Sequence, residues 1–137
     1  MVADHAVTAA DEDSTALDHS VLDALGRVRG TLEPEFVDRI ITLFIDTALI
    51  LIAELKHALA ENDAAKLRDA SHTLKSCSAT VGAGPLTLRC EELEAMARTG
   101  SVPEPAARVE GIAHEYLLVQ AALISRLAQP KRSSGAG

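Results

Sequence analysis

Apolar residues recur at spacings of three and four along most of the chain, and this period predicts amphipathic helices separated by short polar breaks. The pattern predicts five helices, at residues 14–28, 34–61, 64–81, 85–98 and 105–127. Each predicted helix has an apolar face that we expect to point inward. These faces are Leu17, Val21, Leu25 and Val28 in the first helix; Phe36 or Val37, Ile40, Phe44, Ala48, Leu51, Leu55 and Leu59 in the second; Leu67, Ala70, Leu74, Cys77 and Val81 in the third; Leu86, Cys90, Leu93 and Ala97 in the fourth; and Val109, Ile112, Tyr116, Val119, Leu123 and Leu127 in the fifth. No segment shows the alternation of Val, Ile and Thr that is typical of a sheet, so the predicted fold class is all-α.

The breaks between the predicted helices contain residues that begin and end helices. Pro34 suits a first turn, and Asp63 can accept hydrogen bonds from the first amides of the third helix. Gly82 can adopt the left-handed conformation that ends a helix, and Pro85 can begin the fourth. Because short connections make consecutive helices antiparallel neighbours, we expect an antiparallel up-down four-helix bundle with a short N-terminal capping helix.

His72 lies on the outer face of the third predicted helix. At about 100° per residue it is roughly 180° from the centre of the apolar stripe, so we expect an exposed imidazole rather than a core histidine. The residues predicted to surround it are Ala65, Arg68, Asp69, Lys75, Ser76 and Ala79. Half of these side chains are small, which leaves the ring accessible to another protein. An ordinary solvated histidine remains the alternative at this point.

The residues that follow His72 form a longer pattern. His72-Thr73-Leu74-Lys75 is followed by Gly82-Ala83, by Leu86, and by Cys90, Leu93 and Glu94. This spacing resembles the signature of the histidine-phosphotransfer (Hpt) family, and the flanking helix pattern extends the resemblance from about Leu17 to Leu127. One position departs from the signature. The family usually has glycine directly after the lysine, whereas this chain has Ser76, so we expect a modest effect on docking.

The resemblance implies roles for individual residues. His72 is then the phosphoacceptor, which takes a phosphoryl group through Nε2 from an aspartyl phosphate of a receiver domain and passes it to an aspartate of a response regulator. Lys75 offsets charge on the phosphoryl oxygens. The implied docking and supporting residues are Ser76, Ala65, Arg68, Asp69, Ala79 and Glu94. No cofactor of the chain's own is implied, since Mg²⁺ comes from the partner receiver domain.

Glu94 has two interpretations, and the sequence leaves both open. Its spacing from Arg98 predicts an exposed i,i+4 ion pair on the flank of the fourth helix, which would stabilise that helix only slightly. The family resemblance instead places Glu94 near the active histidine, where it orients the ring or shapes the docking face.

The two ends of the chain differ in composition from the helical region. Residues 1–13 are acidic and aperiodic, so we expect a disordered linker there, followed by one Hpt domain at residues 14–129 and a flexible tail at residues 130–137. The acidic start favours the C-terminal domain of a hybrid sensor kinase over a free-standing relay protein or the substrate domain of a chemotaxis-type kinase. The H-x-L-K-S-C sequence also resembles sensor kinases of the diffusible-signal-factor quorum-sensing type in plant-pathogenic bacteria. We expect a monomer.

Composition and charge exclude several classes of protein. The formal net charge is −7, so nucleic acid is excluded as a partner. The most apolar run, residues 40–55, is too short to span a membrane, and the N-terminus lacks the apolar core of a signal peptide. Cys77 and Cys90 are predicted to be buried free thiols. We therefore expect a cytoplasmic domain without direct membrane contact, free or at the cytoplasmic end of a membrane-bound sensor kinase.

Other functions fit the residues less well. A di-metal carboxylate bundle needs two inward Glu-x-x-His pairs; only Glu54 with His57 has that spacing, and His57 is predicted to face solvent. A serine hydrolase built on His72 lacks an oxyanion hole. The chain has no glycine-rich phosphate loop, which argues against kinase activity of its own; the resemblance then implies a phosphotransfer intermediate, which is an enzyme only by convention. A phosphorylation-independent helical adaptor remains the main alternative.

Overall fold

The structure is a computed structural model that describes residues 16–28 and 31–129. Its elements in chain order are α1 (His19–Gly26), β1 (Arg27–Val28), β2 (Thr31–Leu32), α2 (Pro34–Ala60), α3 (Ala64–Thr80), α4 (Gly84–Thr99) and α5 (Pro105–Ala128). The helical fold class is confirmed, although the periodicity did not predict the short antiparallel pairing of β1 with β2. The predicted N-terminal linker and C-terminal tail lie outside the described residues.

The core runs between the four long helices. Each of them contacts the next in the chain, α2 also contacts α5, and α1 packs against α2. The contact between α3 and α4 is the most extensive. Fully buried aliphatic side chains fill the interior, among them Ile41, Leu55, Leu74, Leu86, Leu93, Ile112 and Leu123. Burying each such side chain contributes about 1.5–3 kcal/mol, so this interior is the main source of the bundle's stability.

The turn between α3 and α4 depends on Gly82. Its φ of 81° lies in the left-handed region, and its carbonyl accepts a 2.8 Å hydrogen bond from the backbone amide of Asp18. A Cβ atom at this position would lie 2.5 Å from the carbonyl oxygen of Asp18, so only glycine fits. The turn therefore connects α3 to α4 and also holds the chain that leads into α1.

The inward face of α3 differs from the predicted stripe at Ser71, Cys77 and Ser78. Asp63 caps the helix as predicted, since its Oδ1 accepts from the amide of Lys66 at 3.0 Å. Ser71 and Ser78 are fully buried, however, whereas Cys77 is only half-buried, so the prediction for Cys77 was wrong in degree. The serine hydroxyls are satisfied by helix carbonyls four residues back, at 2.7 Å each. Both hydroxyls are therefore buried without an unsatisfied hydrogen-bonding group.

The prediction for the first helix was wrong in its start, its inward face and its end, since α1 ends at Gly26 and Val28 belongs to β1. The helix begins at His19 rather than Ser14, because Asp18 is the N-cap and accepts from the amide of Ser20 at 3.0 Å. That start turns Leu22 and Gly26 inward and leaves Leu25 exposed, although Leu25 was predicted to be inward.

One side chain at the end of α5 ties α1 to the bundle. Arg126 donates to Asp23 Oδ1 at 2.6 Å and to Nδ1 of His19 at 2.9 Å. The predicted inward faces of α4 and α5 are confirmed, except that Leu127 is half-buried. In α2, Ile41 is fully buried and Ile40 is only partly buried, which reverses the prediction for these neighbours.

Candidate functional site

His72 lies on the exposed face of α3. Its side chain is 58% exposed, whereas Ser71 before it and Leu74 after it are fully buried. The Nδ1 atom lies 2.8 Å from Oε2 of Glu94. The other ring nitrogen, Nε2, makes no hydrogen bond to the described part of the chain. One nitrogen is therefore held by the protein, and the other is available to an incoming group.

Glu94 lies beneath the imidazole and is not the exposed flank residue that its spacing predicted. Its side chain is only 4% exposed, because α4 turns it toward α3. Its Oε1 atom lies 2.7 Å from Nζ of Lys75, and its Oε2 atom lies 2.8 Å from Nη2 of Arg98. The predicted ion pair with Arg98 therefore exists, but Glu94 is buried rather than exposed. Glu94 also lies next to His72, where the family resemblance places it.

Two helical spacings and one turn bring this cluster together. His72 and Lys75 are three residues apart on α3, and Glu94 and Arg98 are four apart on α4, so each pair lies on one side of its helix. The short turn at Gly82 sets the register in which the α3 pair faces the α4 pair. His72 and Glu94 meet although they are 22 positions apart in the sequence.

The electrostatics of the cluster fix the state of the ring. The hydrogen bond from Lys75, with a smaller one from His72, lowers the pKa of Glu94 to about 2, although burial acts in the opposite direction. Glu94 is thus ionised at neutral pH and can only accept hydrogen bonds. Nδ1 of His72 must therefore carry a proton in this contact, so the tautomer that the contact selects has its lone pair on Nε2.

The remaining predicted site residues lie around the ring on α3. Those exposed there are Ala65, Arg68, Asp69, Ser76 and Ala79. Arg68 Nη2 lies 3.3 Å from Asp69 Oδ1, so these two charges partly offset each other. Lys75 differs from the others, because it is 29% exposed and its ammonium group is engaged by Glu94. The structure brings these residues to one face; their role in docking stays a prediction.

Arg98 was missing from the predicted site. The i,i+4 spacing predicted its pair with Glu94, but no local pattern indicates that this pair lies under His72. Only the register between α3 and α4 could have revealed it.

The two cysteines are free thiols next to the cluster. Burial raises the pKa of the Cys90 thiol to about 12 and also raises the pKa of the half-buried Cys77. Both are therefore neutral at physiological pH and are poor nucleophiles.

Metal-binding groups are not assembled in the described residues. Within residues 16–28 and 31–129, no group of three or more His, Cys, Asp or Glu side chains is placed to hold a metal ion. His57, which has the Glu-x-x-His spacing with Glu54, is exposed, and its Nε2 atom lies 3.5 Å from Oε2 of Glu61. Over the same residues, no helix is both long and apolar enough to cross a membrane.

Comparisons with known proteins agree with this geometry. The sequence model of the Hpt domain matches residues 39–129. Multistep phosphorelay regulator 1 of Schizosaccharomyces pombe is 34% identical over 83 residues, which is 61% of this chain and 28% of that protein. The chain thus corresponds to little more than a quarter of that relative.

A solved structure is similar in fold. The crystal structure of histidine-containing phosphotransfer protein B (HptB) from Pseudomonas aeruginosa PAO1 has a TM-score of 0.77 and 27% identity. The similarity covers 85% of this chain and 97% of that one. Since the Hpt model also matches well over half of the sequence, the chain belongs to the Hpt domain family.

Proposed function

We propose that His72 is the residue through which this Hpt domain carries out histidine phosphotransfer in a phosphorelay. One observation carries the proposal: Nδ1 of the exposed imidazole lies 2.8 Å from a buried carboxylate oxygen, so Nε2 is left as the nucleophile. A solvated surface histidine with no function would not need an ionised glutamate beneath it.

The transfer step can be written with this tautomer. The lone pair on Nε2 of His72 attacks the phosphorus of an aspartyl phosphate on a receiver domain. The N–P bond forms while the P–O bond to the aspartate breaks, and its electron pair returns to the aspartate carboxylate. No proton has to leave Nε2. The ring becomes cationic and keeps its proton on Nδ1, where the negative carboxylate of Glu94 stabilises the positive charge of the ring. Attack by an aspartate of a response regulator reverses the same steps.

Charge neutralisation is divided between the domain and its partner. Lys75, one turn from His72, offsets charge on the phosphoryl oxygens. Its ammonium group is bound to Glu94 at 2.7 Å in the free domain, so the phosphoryl oxygens compete with Glu94 for it. Mg²⁺ and the acceptor carboxylate belong to the receiver domain, and the chain itself contributes no cofactor.

Hpt domains in phosphorelays interact with receiver domains or response regulators. The surface proposed to meet them is the exposed face of α3 around His72, which comprises Ala65, Arg68, Asp69, Ser76 and Ala79. Small side chains at most of these positions keep the ring the most prominent group. Glu94 is too buried to belong to the contact surface and acts beneath the ring instead.

Finer features of the proposal rest on the sequence. The helix contacts support an antiparallel up-down bundle in which α1 is a cap. A monomeric domain, a cytoplasmic location, and attachment to a hybrid sensor kinase of the quorum-sensing type stay predictions.

The test is transfer of radiolabel from a phosphorylated receiver domain to the chain. The wild-type domain is expected to take up label that is acid-labile and base-stable, as phosphohistidine is. The His72→Gln variant is expected to fold with an unchanged circular dichroism spectrum and to take up none. Label on His72→Gln would refute the site. A receiver that binds the domain without transferring label would favour the phosphorylation-independent adaptor.

A further inference from the structure

We propose that Arg98 is a positioning residue: it retains the Glu94 carboxylate so that Lys75 can leave it for the phosphoryl group on His72. This inference rests on the proposed role of His72 and adds a residue and an exchange of partners to it.

Lys75 and Arg98, the two basic side chains on Glu94, contact different oxygens of its carboxylate. Lys75 alone contacts Oε1 of Glu94, at 2.7 Å. Arg98 contacts Oε2 at 2.8 Å, and the same oxygen lies 2.8 Å from Nδ1 of His72. If Lys75 leaves, Glu94 keeps one full positive charge and its bond to the ring. If Arg98 is absent, Lys75 is the only permanent cation that faces this carboxylate among the contacts of the described residues.

The cost of leaving a buried carboxylate unpaired makes this difference matter. Glu94 is almost fully enclosed, and an ionised carboxylate in such a place is strongly destabilised without a charged partner. A phosphoryl group on His72 adds up to about two negative charges nearby. Lys75 is then attracted by two anions at once, and it can satisfy the new one only if another cation stays on Glu94.

The chemistry of the two side chains fits these roles. Lysine has a compact ammonium group on a flexible stem, which suits a group that changes partners. Arginine has a planar, pre-organised guanidinium, and Arg98 is held at i,i+4 on the same helix as Glu94. Lys75 shares its helix with His72 and lies one turn away, so the lysine is the cation placed to follow the phosphoryl group.

The first experiment measures the rate of phosphorylation of His72 by phosphoramidate and by a phosphorylated receiver. With phosphoramidate, the P–N bond breaks and ammonia leaves as the Nε2–P bond forms, so docking plays no part. Arg98→Gln is expected to slow both reactions by about five- to tenfold, since the phosphoryl group loses its cation. Arg98→Lys is expected to recover most of the rate.

A matched control lies on the same helix. Arg89 also pairs with a largely buried glutamate, Glu115, at 3.5 Å, but on the side of α4 that faces α5. Arg89→Gln is expected to leave both rates unchanged. An equal loss in Arg89→Gln and Arg98→Gln would show a general effect on α4 and would overturn the proposal.

A double-mutant cycle separates this mechanism from direct contact between Arg98 and the phosphoryl group. In a Glu94→Gln background there is no carboxylate to retain, so adding Arg98→Gln is expected to have no further effect on the phosphorylation rate. Rate losses that multiply would mean that Arg98 acts independently of Glu94, and the proposal would fail.

A spectroscopic readout completes the test. The ¹⁵N shifts of unphosphorylated His72 are expected to report the Nδ1-protonated ring in Arg98→Gln as in the wild-type domain, because Lys75 still holds Glu94. A tautomer change in Arg98→Gln alone would refute the proposal that Lys75 moves from Glu94 to the phosphoryl group. If wild-type His72 itself takes up no label, the proposed function fails; if it does and Arg98→Gln matches it, only this inference fails.

Discussion

The Nδ1 atom of His72 and the Oε2 atom of Glu94 lie 2.8 Å apart across the interface between α3 and α4. This contact determines which ring nitrogen can act on a phosphoryl group, because an ionised glutamate accepts a hydrogen bond from Nδ1–H and so selects the tautomer whose lone pair is on Nε2. The exposed histidine therefore depends on a buried residue of the neighbouring helix.

Removing Glu94 is expected to change the tautomer of His72 while the domain stays folded. In Glu94→Ala, neither tautomer of His72 is held, so the competent form becomes a minor species and transfer from a receiver falls by about tenfold if that form is about a tenth of the population. The ¹⁵N shifts of His72 and the transfer rate should change together. Glu92→Ala, an exposed glutamate on α4, is the control and should alter neither. An unchanged tautomer in Glu94→Ala would contradict the assignment.

Glu94 should also give the domain a pH-dependent stability. Its pKa is lowered from 4.5 to about 2, chiefly by the hydrogen bond from Lys75. A group with a depressed folded-state pKa binds protons more readily in the unfolded chain, so its contribution is full above about pH 4.5 and is lost as the pH falls toward 2. The stability difference between wild type and Glu94→Gln, measured by urea unfolding at pH 7, 5 and 3.5, should shrink with falling pH. A difference that grows would reverse the sign and refute the assignment.

Leu74 tests the orientation of α3 about its own axis. It is fully buried two residues from the exposed imidazole, so Leu74→Ala should lower the free energy of unfolding by about 2–5 kcal/mol through a core cavity. Leu43→Ala is the control, since Leu43 on α2 is 67% exposed and its loss should cost less than about 0.5 kcal/mol. Equal losses in chemical denaturation would mean that Leu74 is not a core residue.

Local signals predicted most of the fold. Pro34, Asp63 and Gly82 mark element ends through backbone geometry and capping, which depend on a few neighbouring residues, and the structure has helix ends at all three. The start of α1 was missed although its N-cap, Asp18, is a local signal; the hydrogen bond from the Asp18 amide to Gly82, which no local pattern encodes, joins α1 to the turn after α3.

The depth of individual residues was harder to predict than the elements. A helical wheel places Glu94 beside the inward stripe, but only the neighbouring α3, with Lys75 and His72, determines that a carboxylate is buried there. The burial of Ser71 and Ser78 was missed for a related reason. Their hydroxyls donate to carbonyls of their own helix, so these serines can be buried, whereas the predicted face included only apolar residues.

The turn at Gly82 supplies the last prediction. Gly82→Ala would force an L residue to a φ of 81° and place its Cβ 2.5 Å from the backbone oxygen of Asp18, which cannot move without shifting α1. The strained backbone alone costs about 1–3 kcal/mol, and the free energy of unfolding should fall by at least that amount. Gly84→Ala is a close control, because nothing lies within 4 Å of a Cβ there and the position opens α4. Hydrogen exchange should show amides of α1 opening more readily in Gly82→Ala only. Equal stability of the two variants would mean that the contact between Asp18 and Gly82 does not hold α1 in place.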